Sequence, residues 1–233
     1  MLSRSPSHLR LPFADRSAAG RLLAERVVGL KPIDPLVLAL PRGGVPVAVE
    51  VARALSAPMD LMLVRKIGSP DQPELALAAV SEGSSPQIVL NRPVYELAQV
   101  RGSWLMEAVN EQLHEIERRK AKYLPDVKRP TLGGRTVVLV DDGLATGTTM
   151  RAALKAVSYA HPRRIVVAVP VAPRYQLAEL QGEADDIVCL VTPDSFDAVG
   201  SFYEDFHQLS DDEVVDWMKQ VRHEPANASD LKT

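Results

Sequence analysis

Residues 137–150 read Val137-Val138-Leu139-Val140-Asp141-Asp142-Gly143-Leu144-Ala145-Thr146-Gly147-Thr148-Thr149-Met150. An unbroken apolar run ends on two adjacent carboxylates, passes through a loop of Gly, Ala and Thr, and enters a helix-forming stretch. Continuous rather than alternating apolar character is what a strand buried on both faces of a parallel sheet requires. The carboxylates therefore stand at the carboxyl end of a strand, where open α/β sheets bind ligands. The loop offers free backbone N–H groups and three hydroxyls at a helix N-terminus, where hydrogen bonds and the helix dipole favour a phosphate. Acidic groups beside such a cradle repel the phosphate unless they face something else. Sugar hydroxyls and a hydrated divalent cation such as Mg2+ suit them. A phosphorylated sugar is the ligand this segment implies.

Outward from this stretch, short apolar runs alternate with helix-like segments, the pattern of βα units and a parallel sheet. Strands are expected at 36–40, 61–64, 76–80, 88–90, 136–140, 165–170 and 187–191, and helices at 17–28, 45–55, 148–160, 175–181 and from Asp211 through 221. The longest interruption, 95–123, carries Leu105, Val109, Leu113 and Ile116 at helical spacing, which predicts one amphipathic helix or two, covering the sheet or lidding a site. One domain is expected over 10–222, with a helical insertion at about 93–124 and flexible tails at 1–9 and 223–233.

Composition bounds the function class. The 233 residues carry 27 basic and 30 acidic side chains, a net charge of -3, so no overall positive field draws the chain to nucleic acid or an anionic membrane. With one cysteine, Cys189, inside an apolar run, disulfide and redox chemistry are not expected. The five histidines form no metal-ligand spacing. No run approaches the roughly 18 apolar residues a spanning helix needs, and the stretch 1–15 has no signal-like apolar core, so a cytoplasmic location is expected. The loop lacks the Lys of an NTPase P-loop, Leu40-Pro41-Arg42-Gly43-Gly44 lacks the spaced glycines of a dinucleotide fingerprint, and no G-x-S-x-G elbow occurs.

Residues 137–149 resemble the PRPP-binding signature of type I phosphoribosyltransferases: an apolar strand, two acids, and a loop ending in Thr-Gly-x-Thr. Two further elements extend the resemblance over about 36–192. Leu40-Pro41-Arg42-Gly43-Gly44 stands where the family has its pyrophosphate loop, and Arg65-Lys66, followed by the segment from Gly68 to Glu74, stands where it has a mobile catalytic loop. The resemblance implies a Rossmann-like central parallel sheet flanked by helices with a small variable hood, and a dimeric phosphoribosyltransferase of nucleotide salvage. Such an enzyme binds PRPP and Mg2+, transfers the phosphoribosyl group to a nitrogenous base and releases pyrophosphate. It also implies roles. Asp141 and Asp142 would hold the ribose hydroxyls and Mg2+, directly or through water. Ala145, Thr146, Gly147, Thr148 and Thr149 would cradle the 5-phosphate, Arg42 and Gly43 would meet the pyrophosphate, and Arg65 and Lys66 would join it when the loop closes.

One departure concerns the acceptor. The 6-oxopurine branch places an acid at the first position of the phosphate loop, where this chain has Ala145, so hypoxanthine and guanine are disfavoured unless Glu74 or Glu82 substitutes. Candidates for the hood are the N-terminal segment to Leu30, the insertion 93–124, and the stretch 199–206. In the last, Phe202 and Tyr203 are candidates to stack on a base, against the simpler expectation that they pack beneath the C-terminal helix. A non-catalytic PRPP- or nucleotide-sensing regulator is the alternative function.

Overall fold

The run 136–140 occupies the centre of the sheet it predicts. A computed structural model describes residues 10–73, 75–83, 86–125 and 129–223. Its first half runs α1 (Arg16–Gly29), β1 (Pro35–Ala39), α2 (Gly44–Leu55), β2 (Met59–Leu61), β3 (Val64–Gly68), β4 (Ala76–Ser81), β5 (Ile88–Leu90) and α3 (Arg92–Ala98). The second half runs α4 (Gly102–Tyr123), β6 (Thr136–Val140), α5 (Thr148–Ser158), β7 (Arg164–Val171), α6 (Arg174–Leu180), β8 (Asp186–Val191) and α7 (Asp211–His223), with a 3-10 turn at Val199–Phe202 before α7. Apart from His223, the expected tails lie outside the described residues.

Five strands form a parallel sheet in the order β2-β1-β6-β7-β8. Successive side chains of a strand point to opposite faces, and both faces here are apolar. Val37, Ala39, Val138, Val140, Val166 and Ala168 pack with Leu23, Val27, Val47 and Val51 of α1 and α2. Leu36, Leu38, Val137, Leu139, Val167 and Val169 pack with Met150, Leu154, Val157, Leu177 and Leu180 of α5 and α6. The chain leaves β1 over one face through α2 and leaves β6 over the other through α5. The neighbours β1 and β6 thus flank a topological switch point, the place where such sheets open a crevice for ligands.

Two expectations are corrected. The strand expected at 61–64 is two strands, β2 ending at Leu61 and β3 beginning at Val64, with Met62 and Leu63 between them. The runs at 76–80 and 88–90 do not join the parallel sheet: β3, β4 and β5 form a separate antiparallel sheet. Connections from Gly68 to Ala76 and from Ser81 to Ile88 are too short for a parallel crossover, which needs about a dozen residues or more. The insertion is two helices, α3 and α4, parted at Gln99, whose backbone is left-handed (φ 46°). Cys189 packs as a small hydrophobe, and burial pushes its thiol up to about 12. Among the described residues no helix is long and apolar enough to cross a membrane.

Candidate active site

Where β1 and β6 end side by side, the chain brings two loops into contact. Leu40 N–H donates to the Val140 carbonyl (2.9 Å), after which the Pro41–Arg42 peptide is cis and the chain turns into α2. A side chain at Gly43 would collide with Asp142 Oδ2, and one at Gly44 would begin 2.7 Å from the Val140 carbonyl oxygen. Glycine is required at both positions because this backbone lies directly against the acid pair.

Asp141 and Asp142 follow β6. Burial raises the Asp141 carboxyl well above the ordinary range, and the neighbouring Asp142 raises it further, while Lys66 and Arg16 work in the opposite direction. Burial also raises Asp142, against the pull of Arg16. The pair is fixed by several contacts. Arg16 Nε donates to Asp142 Oδ2 (2.8 Å), Asp142 N–H donates to Asp141 Oδ1 (2.9 Å), and the Tyr203 hydroxyl donates to the Asp142 carbonyl (2.6 Å). Arg16 is itself buried at the first turn of α1, which Asp15 caps by accepting from Ala18 N–H. Its guanidinium lies 3.9 Å over the Phe206 ring and donates to the His207 carbonyl (3.0 Å). Among the described residues no cluster of three or more acids, histidines or cysteines forms a metal cage. Two carboxylates at the mouth of a crevice instead suit a hard cation that keeps most of its water, as Mg2+ does.

The loop after the acid pair has the donors an anion needs. Leu144 N–H is taken by the Val171 carbonyl (2.9 Å), whereas the amides of 145–150 donate to no acceptor among the described residues. They lie at the N-terminus of the 11-residue α5, so the helix dipole reinforces them. Thr146 Oγ1 and Thr148 Oγ1 are 3.2 Å apart. Gly147 is left-handed (φ 67°), and a side chain there would begin 2.5 Å from Gln176 Oε1. Glycine is needed here to clear α6 and to adopt this φ. Gln176 Oε1 is, among the described residues, the buried side-chain oxygen that has no partner.

Arg65 and Lys66 lie within β3 rather than after it. Burial lowers the Arg65 pKa, Arg119 and Arg42 lower it further, and Arg65 Nε donates to Gln112 Oε1 on α4 (3.0 Å). Arg42 comes within 3.8 Å of Asp211 Oδ1 at the start of α7, where the Tyr123 hydroxyl donates at 2.5 Å. Glu74, the far end of the loop from Gly68, lies outside the described residues. Phe202 is half-buried and stacked on Phe196, and Tyr203 is buried between Phe13 and Phe206. The N-terminal segment bonds this stretch directly: Phe13 N–H donates to the Phe202 carbonyl (2.8 Å) and Glu204 N–H to the Phe13 carbonyl (2.7 Å).

Sequence reasoning did not single out Arg16, Gln112, Arg119, Gln176 or Asp211 as site residues. Arg16 and Asp142 are 126 positions apart, and no local motif joins them. A second buried cluster lies apart from the acid pair, beside a cavity of about 490 Å3. There Arg129 donates to Asp60 (2.7 Å) and Glu82 (2.5 Å), and Leu63 N–H donates to Glu82 (2.9 Å), stapling β2 to the end of β4. Glu82 is therefore committed to this staple.

Acids at a switch point followed by a loop of amides without protein acceptors among the described residues define a class: an α/β protein with a ligand site at the carboxyl ends of its parallel strands. Comparison with known proteins narrows this. The chain belongs to the phosphoribosyl transferase domain family, which it matches over residues 16–207. Over 221 residues it is 45% identical to two Mycobacterium tuberculosis proteins, Rv0571c and MT0597, whose designations as phosphoribosyl transferases are themselves provisional. The match covers 93% of this chain and 48% of theirs, so the chain spans about half the length of these relatives. TT1426 from Thermus thermophilus is 44% identical with a TM-score of 0.75, over 89% of this chain and 98% of that one.

Proposed function

We propose that this protein is a PRPP-dependent phosphoribosyltransferase that, with Mg2+, transfers the 5-phosphoribosyl group to a nitrogenous base and releases pyrophosphate. The observation that carries the reading is the row of amides at 145–150, free of protein acceptors among the described residues, in the loop that follows the half-buried Asp141 and Asp142. Amides at a helix N-terminus suit the 5-phosphate, and carboxylates suit ribose hydroxyls.

In this reading the loop 145–149 holds the 5-phosphate, and Asp141 and Asp142 accept from the ribose hydroxyls. The bond from C1 to the pyrophosphate oxygen breaks, its electron pair leaving with pyrophosphate, while the acceptor nitrogen bonds C1 and its proton passes to solvent. Negative charge grows on the leaving group, and Arg42, Arg65 and Lys66 compensate it, so catalysis consists of positioning and electrostatic stabilisation. Asp141 and Asp142 would hold Mg2+, which would supply further positive charge for the diphosphate. In this reading the residues from Ser69 to Pro73 close over the site and exclude water that would compete with the acceptor. Ala145 at the head of the loop, together with the commitment of Glu82 to Arg129, supports an acceptor other than a 6-oxopurine. The test is a screen of nitrogenous bases with PRPP and Mg2+, following pyrophosphate release. Turnover with one base supports the reading, and no release with any base counts against catalysis.

A further inference from the structure

Helix α4 does more than cover the sheet. Gln112, Glu115 and Arg119 share one of its faces, at the spacing that stacks side chains along a helix. Gln112 Oε1 accepts from Arg65 Nε on β3 (3.0 Å), and Glu115 Oε1 accepts from Arg119 Nε (2.7 Å). Near them stands Arg42 of the loop after β1, 3.8 Å from Asp211 Oδ1, which is also bonded by Tyr123 of α4. Three guanidiniums from three separate elements thus stand close enough along α4 that Arg119 and Arg42 each act electrostatically on Arg65.

Their anchoring is one-sided. Arg65 and Arg119 are each held through Nε, and no acceptor among the described residues takes their terminal Nη groups. The Arg119 side chain is 16% exposed and that of Arg42 27%, so bulk water screens their mutual repulsion incompletely. Partly buried guanidiniums whose terminal Nη groups take no acceptor among the described residues, as at Arg65 and Arg119, suit a polyanion, and a diphosphate presents several charged oxygens to such forks.

We infer that α4 forms a wall of the diphosphate end of the site and that Arg119 binds the diphosphate of PRPP, and pyrophosphate after release, together with Arg42 and Arg65. The inference rests on the PRPP reading of the site, and the experiment separates the two. The full chain is titrated calorimetrically with inorganic pyrophosphate plus Mg2+ and, separately, with ribose 5-phosphate. Arg119→Ala is expected to weaken pyrophosphate binding about 10- to 100-fold, the range for loss of a hydrogen bond to a charged group, while ribose 5-phosphate binding stays within about twofold. Lys120→Ala, which removes the same charge from an exposed position paired with Glu117, is expected to leave both affinities unchanged. Arg119→Gln keeps a donor for Glu115 and takes the place of the alanine variant if that one does not fold. Unchanged pyrophosphate affinity in the Arg119 variants, or an equal loss in Lys120→Ala, overturns the assignment of Arg119 while ribose 5-phosphate binding leaves the site reading intact. Wild-type protein that binds ribose 5-phosphate but not pyrophosphate also overturns it, and protein that binds neither overturns both.

Discussion

Replacing Arg16 with Ala strips the acid pair of its nearest cation. Arg16 is buried, meets Asp142 Oδ2 at 2.8 Å, and also donates to the His207 carbonyl. Breaking a buried pair by deleting one partner costs about 3–5 kcal/mol, because the remaining charge is left in a poor solvent. The cost depends on pH, since a proton can replace the guanidinium. Burial already holds the Asp141 and Asp142 carboxyls above their ordinary range, so from about pH 4 up to their raised values the native state binds more protons than the unfolded chain. Stability therefore falls as pH rises through that window. Losing Arg16 raises the pair further and steepens the fall: each added unit makes the cost about 1.4 kcal/mol larger above the window than below it. Urea denaturation of wild type and Arg16→Ala at pH 5 and pH 8 measures this. The expected loss is about 3–5 kcal/mol at pH 8 and smaller by at least about 1 kcal/mol at pH 5. A loss under about 1 kcal/mol, equal at both pH values, would refute the view that Asp142 is a desolvated charge held by Arg16.

Gly147→Ala is expected to weaken ribose 5-phosphate binding about tenfold or more, because the new carbon meets Gln176 Oε1 at 2.5 Å in a left-handed backbone. Adding Gln176→Ala to the same chain recovers part of that affinity in calorimetry. Gly43→Ala drives its methyl into Asp142 Oδ2, so thermal melting is expected to drop by several degrees, with PRPP affinity falling as well. Arg65→Ala with Lys66→Ala should cut kcat for pyrophosphate release far more than it weakens PRPP binding, since an interaction gained mainly in the transition state acts on kcat. A PRPP sensor would instead lose binding and have no turnover to lose.

The parallel sheet is legible in the sequence where strands are buried on both faces: 137–140 and 165–170 are unbroken apolar runs followed by turns and helices, and both lie in interior strands. The acid pair and the Thr-rich loop are legible because they are contiguous. The small antiparallel sheet is not, because a run such as 76–80 is equally apolar in either sheet. Its direction is encoded instead in the short connections on each side. Arg16 and Gln176 reach Asp142 and the Gly147 loop only through tertiary packing, from α1 and α6, and each reads locally as an ordinary helical residue, as does Arg119 of α4. Tyr203 lies within a stretch singled out for base stacking, and its buried hydroxyl instead supports the backbone of Asp142.

The central claim, that residues 141–149 form a PRPP site, is tested most directly by calorimetric titration of PRPP with Mg2+ into the wild-type chain and the Asp141→Asn, Asp142→Asn double variant. The account predicts saturable binding to the wild type and a loss of about tenfold or more in the variant, because the amides keep the ribose contact but not the charge that attracts the cation. Undiminished PRPP affinity in a folded double variant would contradict it.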